Sequence, residues 1–358
     1  MLTLPLKFQK GIHKIKRIIS TPNPAKIKRI NFAITYLCNS QCKICSIWKK
    51  YRNDTVSPQQ ELDFSQIKRL FNQNKSFKEL DEISLTGGEP FLRHDFRDIY
   101  QFFRQNFPRA TIIINTNGLQ AKDNWIKTKE DALWTVVLFS LDGLEETNDL
   151  IRGIEGSYQR VISTIKHYQK VFPSLRMGLS FTILPTNFHE LREIYDLSRR
   201  LKLSFTMRFA CNSEIYYNNS EIKLEWTDEM LRNVDADIQL IVKETAQSRN
   251  RLNRLLNPDL FFYSRMVYYQ RNKKRLFQCF SGVHSLFLDP YGNIFPCIFL
   301  VESIGNVTKE PFDDLWFSKK AGQQRISIAN EECHCWTECE TIPSLQRNLG
   351  HLNAMETQ

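Results

Sequence analysis

From Ile30 onward the chain alternates short runs rich in β-branched and aromatic residues with longer stretches of helical periodicity, and this alternation narrows the fold more than any other feature. The runs Asn31 to Tyr36, Glu82 to Leu85, Thr111 to Ile114, Thr135 to Phe139, Gly178 to Ile183 and Ser204 to Arg208 read as strands. Amphipathic stretches between them, such as Phe64 to Phe71, Phe96 to Phe103, Tyr158 to Tyr168 and Leu191 to Leu201, read as helices. Repeated strand-helix units build a parallel sheet, and right-handed crossovers curve it toward a barrel. With 358 residues, 42% of them hydrophobic, the chain can bury such an α/β core and still form a second small domain.

Chemically distinctive residues follow each of the first four strands: Cys38, then Gly87-Gly88-Glu89-Pro90, then Asn117-Gly118, then Asp142-Gly143. The carboxyl ends of parallel strands are where such folds assemble active sites, so four motifs are expected on one rim. Cys38, Cys42 and Cys45 carry the most chemistry. Three thiolates at this spacing can each hold one iron of a 4Fe-4S cubane and leave the fourth iron open to a reactant. A structural zinc would need a fourth Cys or His, and no His lies near. A nucleophilic set would need a neighbouring His or Asp.

The triplet and the Gly87 to Pro90 turn, in this order and each after a strand, resemble the cluster and glycine-rich motifs of the radical S-adenosylmethionine superfamily. The resemblance runs from about Ile30 to Glu340. It implies a partial (β/α)6 TIM-like barrel, with the three cysteines ligating the cluster and the methionine amine and carboxylate of S-adenosylmethionine chelating the open iron. Gly87, Gly88, Glu89 and Pro90 would then form a cofactor turn, with the glycines admitting close backbone approach and Glu89 offering charge to the ammonium. Asn117 follows the third strand. Ser140 and Arg152 would bind the cofactor carboxylate, and Thr182 and Asn187 would approach the adenosine. Backbone from Met207 through Arg208 to Phe209 would meet the adenine. Where many relatives carry His, this chain has Asn148, and where many carry an aromatic residue before the third cysteine it has Ile44, an apolar lid.

Cys279, Cys297, Cys333, Cys335 and Cys339 form a second group. With Gly292-x4-Cys297, Ile304-Gly305-Asn306-Val307 and Leu315-Trp316, it resembles the SPASM or twitch extension of the superfamily, a small Cys-rich α+β domain. That implies a second, auxiliary 4Fe-4S cluster on Cys279, Cys297 and two of the remaining three thiols, leaving one spare. A four-thiolate zinc suits the same residues. Cys211 reads as a buried core thiol. His284, His334 and Glu302 are candidate substrate-side groups. Between the two parts, residues 222 to 256 read as one long helix, and a hairpin, Ser285 to Leu288 with Asn293 to Phe295, opens the second domain.

Of the net charge of +10, the excess lies at the start: 12 Lys or Arg and no acid precede Asp54, against 37 bases and 39 acids beyond. Phe8, Ile12, Ile15 and Ile19 share one helical face opposite Lys7, Lys10, Lys14 and Arg17. Such a helix either docks on the protein's own core or meets a membrane or other anionic surface. No secretory h-region is visible, so a reducing cytoplasm is expected, with peripheral membrane contact through the arm as an option.

The expected organisation is a basic arm (1–29), a barrel (30–215), a helical linker (216–275), a Cys-rich domain (276–345) and a tail (346–358). The expected activity is reductive cleavage of S-adenosylmethionine to a 5'-deoxyadenosyl radical, which abstracts hydrogen from a peptide or small-molecule substrate. Peptide or protein modification leads. A nucleotide, sugar or lipid-linked target is the alternative, and a non-catalytic zinc protein binding nucleic acid the third. Nucleic acid is not an expected partner, since no aromatic residues interleave with the basic ones. A one-electron reductant such as flavodoxin or ferredoxin is.

Overall fold

The computed structural model describes residues 24, 26–51, 57–247, 257–331, 333 and 335–347. Six parallel strands run β1 (Arg29–Thr35), β2 (Glu82–Gly87), β3 (Thr111–Thr116), β4 (Thr135–Ser140), β5 (Arg176–Ile183) and β6 (Ser204–Phe209). Helices α1 (Phe64–Gln73), α2 (Phe96–Asn106), α3 (Lys129–Leu133), α4 (Glu145–Arg152), α5 (Ser157–Val171) and α6 (Leu191–Arg200) fill the crossovers. The six sequence-read strands are present, with ends moved by one or two residues.

Strand alternation explains why this barrel is hollow. Outward-facing Phe32, Ile83, Ile114, Phe139 and Phe181 are fully buried against the helices. Their neighbours Asn31, Ser84, Asn115, Ser140 and Ser180 face inward and line a cavity. Small polar side chains cannot fill a barrel interior as layered Val, Ile and Leu do. The curved sheet therefore encloses a chamber, which defines a partial TIM barrel.

The sheet does not stop at β1. Strand β7 (Ser285–Leu288) pairs parallel with it, Arg29 opposite Ser285 through Phe32 opposite Leu288. Strands β8 (Asn293–Phe295) and β9 (Gly305–Asn306) follow antiparallel, giving the order β6-β5-β4-β3-β2-β1-β7-β8-β9. The C-terminal part, which follows α7 (Asp228–Gln247), α8 (Pro258–Ser264) and α9 (Met266–Asn272) and is completed by α10 (Phe312–Trp316), α11 (Lys319–Ala329) and α12 (Glu338–Arg347), is thus joined to the barrel by backbone hydrogen bonds.

The long helix read over 222 to 256 is shorter in the structure. It spans Asp228–Gln247, and residues 248–256 lie outside the described residues. Thr227 stops it early, its hydroxyl accepting from the Met230 amide at 3.2 Å, as a capping residue does. Trp226, taken as part of the helical face, instead packs its ring 5.0 Å from Phe209 and 6.2 Å from Phe188. The basic amphipathic helix lies outside the described residues.

Candidate functional site

The segment carrying Cys38, Cys42 and Cys45 has no regular structure of its own, and hydrogen bonds from four directions hold it. From the β2 turn, Gly88 N–H donates to Thr35 O at 2.8 Å and Glu89 N–H to Leu37 O at 2.7 Å. Gly87 sits at φ +129°, and a Cβ on it or on Gly88 would strike the carbonyl oxygens of Thr35 and Leu37. The glycines are therefore required by the end of β1, where the cysteine loop begins. The second hold comes from the end of α4: Gln41 N–H donates to Arg152 O at 3.1 Å and Lys43 N–H to Ile151 O at 2.8 Å. Gly153, at φ +67°, has no room for a Cβ beside Gln41.

A third hold is the stretch after β6, where Tyr217 O accepts from Ser46 N–H at 2.8 Å and the Asn219 amide donates to Ile44 O at 2.9 Å. The fourth is Asn117, whose side-chain amide donates to Asn39 Oδ1 at 2.7 Å and Ser40 Oγ at 3.0 Å.

All three thiols are free. Burial, with the neighbouring Cys42, pushes Cys38 and Cys45 up to about 12. Thiolates here need a compensating cation. The Arg152 guanidinium supplies part of it, with Nη1 at 3.8 Å from Cys42 Sγ. Among the described residues no three His, Cys, Asp or Glu converge on a point as a single metal ion requires. Three soft thiol donors that need a compensating charge suit a 4Fe-4S cubane.

Arg152 is itself set by Asp142, fully buried, whose Oδ2 lies 2.6 Å from Nη2. Asp142 Oδ1 accepts from Thr182 N–H at 2.8 Å, and its own amide donates to Asn148 Oδ1 at 2.9 Å. The Asn187 amide donates to Asp142 O at 2.8 Å. Asn148 and Asn187 are both completely buried, so they act behind the cavity wall.

The cavity measures about 670 Å³ and runs from the cysteine triplet through the barrel to the second cysteine group. Gly87, Gly88, Asn117, Ser140, Arg152, Thr182 and Arg208 line it, as do Ile44 and Cys211; Glu89, Pro90 and Asn187 do not. Glu89 is committed elsewhere. Its carboxylate accepts from Phe91 N–H (3.1 Å), Thr116 Oγ1 (2.8 Å) and Asn117 N–H (2.7 Å), while burial pushes it up to about 7. Pro90 opens the tight turn that follows.

Sequence reading missed Trp48, Tyr216, Tyr217, Tyr263 and Glu338, which also line the cavity. Tyr216 anchors the glycine turn directly: its phenol oxygen lies 2.7 Å from Thr86 Oγ1 and accepts from Gly87 N–H at 3.3 Å. The adjacent tyrosines just past β6 were the available signal. Of the candidate substrate-side groups, His284 faces Lys26 O at 3.2 Å and Glu302 is exposed beside Lys320, neither on the cavity; His334 lies outside the described residues.

In the second group Cys279 and Cys297 are buried, and Cys333, Cys335 and Cys339 partly so. Burial raises the thiols of Cys279 and Cys339 to about 12 and those of Cys297 and Cys335 well above their ordinary value, with each feeling its neighbours and the carboxyl of Glu340. Arg275 reaches Cys333 Sγ at 3.9 Å. Cys339 borders the cavity. The donor set again suits a thiolate-bound cluster.

Residues 32–198 match the model of the radical SAM superfamily, and residues 279–340 that of the iron-sulfur cluster-binding domain called SPASM. The chain belongs to the radical SAM superfamily, as an enzyme with a SPASM domain. The family uses a 4Fe-4S cluster with S-adenosylmethionine, and the SPASM domain binds auxiliary iron-sulfur clusters.

Among similar proteins, the Fe-coproporphyrin III synthase of Methanosarcina barkeri is 27% identical over 59% of this chain, which spans only half of that relative. The AdoMet-dependent heme synthase of the same organism is 24% identical over 80% of this chain and 81% of its own length. In fold, Streptococcus suis SuiB bound to S-adenosylmethionine gives a TM-score of 0.62 at 15% identity, covering 88% of this chain and 72% of SuiB. The enzyme anSMEcpe with bound AdoMet gives 0.58 at 16% identity, covering 83% and 79%.

Proposed function

We propose that this enzyme abstracts hydrogen from a peptide or protein segment inserted into the cavity between its two cysteine groups. The observation that carries the reading is that one chamber is bordered both by Cys38, Cys42 and Cys45 and by Cys339 with its neighbours. A reactant in it lies within reach of both. When bound and reduced, the cluster and S-adenosylmethionine supply a 5'-deoxyadenosyl radical, the electron coming from a carrier such as flavodoxin or ferredoxin.

The chain's own residues do the holding. Cys38, Cys42 and Cys45 ligate the first cluster; Cys279, Cys297 and two of Cys333, Cys335 and Cys339 ligate the second. Arg152, oriented by Asp142, would receive the cofactor carboxylate with Ser140, while Gly87, Gly88, Asn117 and Thr182 would border the rest of it and the β6 backbone at Arg208 would meet the adenine. Glu89, Pro90 and Asn187 position these groups from behind. The enclosing barrel keeps water from the reacting centre.

Two solved neighbours hold peptides: SuiB with its precursor peptide SuiA, and anSMEcpe with the Cp18Cys peptide. A second reading, a small-molecule substrate, draws on the heme synthase, whose likeness spans four-fifths of the chain. The test is anaerobic reconstitution, reduction with dithionite, and measurement of 5'-deoxyadenosine with peptide and small-molecule fractions of the source cell. Stimulation and a mass change confined to the peptide fraction support the first reading. Absence of any 5'-deoxyadenosine from iron-loaded protein defeats both.

A further inference from the structure

Arg208 and Glu338 face each other in the cavity wall from different parts of the molecule. Arg208 projects inward from β6, and Glu338 opens α12, next to Cys339. Their contact is poor: Nη1 to Oε2 is 3.5 Å, and among the described residues this is the one hydrogen bond the guanidinium makes. A guanidinium has five N–H donors arranged as a fork. Most of this one is uncommitted. Glu338 is also half used, since its Oε1 is buried without any hydrogen-bond partner. Tyr217, Tyr263 and Cys211 complete this side of the chamber. Two opposite charges that share one cavity wall yet meet through a single long contact leave a bidentate position open.

We propose that Arg208, with Glu338 as its resting partner, is the subsite that receives a carboxylate of the substrate and sets the substrate between the two cysteine groups. Carboxylate is favoured over phosphate because the fork exchanges one carboxylate for another of the same charge and shape, whereas phosphate would set a second negative charge beside the displaced Glu338. The assignment rests on the hydrogen-abstraction reading for its purpose. Its geometry is independent of it, being the Arg208–Glu338 contact in the cavity wall. In the resting enzyme Glu338 occupies the fork; a substrate carboxylate displaces it and makes two parallel N–H···O bonds.

The test uses the iron-loaded enzyme saturated with S-adenosylmethionine, so that Arg152 is already engaged. Binding of N-acetylphenylalanine, its amide and inorganic phosphate is measured by calorimetry. Wild type is expected to prefer the acid over the amide at least tenfold and over phosphate. Arg208→Gln should bind acid and amide alike, Arg208→Lys should retain part of the preference, and Glu338→Gln should bind the acid several-fold more tightly because the resting competitor is gone. Iron content and thermal midpoint verify that each variant folds. Absence of preference in wild type, preference retained in Arg208→Gln, tighter phosphate binding, or weaker acid binding in Glu338→Gln would each overturn the assignment. 5'-Deoxyadenosine release by wild type without substrate is measured alongside, so failure of the radical chemistry is told apart from failure of the subsite.

Discussion

Replacing Gly153 with alanine should loosen the cysteine loop while leaving the barrel folded. Gly153 has φ +67°, and a Cβ there would lie 2.9 Å from the Gln41 carbonyl carbon and closer still to its oxygen, where ordinary contact begins at 3.4 Å. The left-handed backbone alone costs a non-glycine residue about 1 kcal/mol. Relieving the clash moves Gln41 outward by at least 0.5 Å, which carries the 3.1 Å Gln41–Arg152 bond out of range and weakens the 2.8 Å Lys43–Ile151 bond. At about 1 kcal/mol for each bond, the loop loses about 3 kcal/mol, or roughly a hundredfold in its opening equilibrium. Gly156 is the control. It also has positive φ, +72°, but nothing lies within 4 Å of its Cβ position, so Gly156→Ala carries the backbone cost alone. The assay is hydrogen exchange at the Gln41 and Lys43 amides of the apoprotein, followed by iron content after reconstitution. Faster exchange and lower iron in Gly153→Ala only is the expected result. Equal behaviour of the two variants would show that the α4 terminus does not hold the loop.

Cys42→Ala should abolish 5'-deoxyadenosine release, whereas Cys335→Ala should leave cleavage uncoupled from substrate but measurable by chromatography; cleavage persisting in the Cys42 variant would remove the cluster from the triplet. Asp142→Asn should cost about 3 kcal/mol by leaving the Arg152 charge without its buried partner, read as a lower urea midpoint of the apoprotein together with a raised KM for S-adenosylmethionine. Burial holds the Glu89 carboxyl up at about 7 against an ordinary 4.5. As pH rises from 4.5 the unfolded chain loses this proton first, so Glu89 makes apoprotein stability fall by up to about 3 kcal/mol toward pH 7 and then level off. In Glu89→Gln the urea midpoint should change less between pH 5 and 7.5 than in wild type; identical slopes would mean that Glu89 does not titrate there.

The strands were legible because each carries a full β-branched or aromatic face, and the rim motifs because they follow strand ends directly. Helix 228–247 was overextended because Trp226 happens to continue the apolar spacing, although Thr227-Asp228-Glu229 is a start signal in its own right. Gly87 and Gly88 could be recognised as indispensable, but not that the carbonyls of Thr35 and Leu37, rather than a ligand, exclude their side chains. Glu89 presents the same difficulty: a lone acid after two glycines does not disclose that Thr116 and Asn117 will meet it. Residues 216–219 were read as the start of a linker because irregular backbone has no period. Their grip on Ile44 and Ser46 arises only from tertiary folding. Likewise the hairpin at Ser285 was visible from its turn, but nothing local specifies which edge it joins.

That edge has a consequence for how such molecules can be recombined. Because Ser285–Leu288 lies in register beside Arg29–Phe32, the spacing between the two cysteine groups is set by a shared ladder and not by the length of chain between them. Lengthening the connection between Gln247 and Pro258 should leave that spacing intact, whereas the Pro258–Ser264 helix must stay, because Phe262 O accepts from Trp336 Nε1–H at 2.9 Å beside Cys335. A foreign C-terminal module could replace this one only if it brought a strand able to zip onto the same edge at the same step.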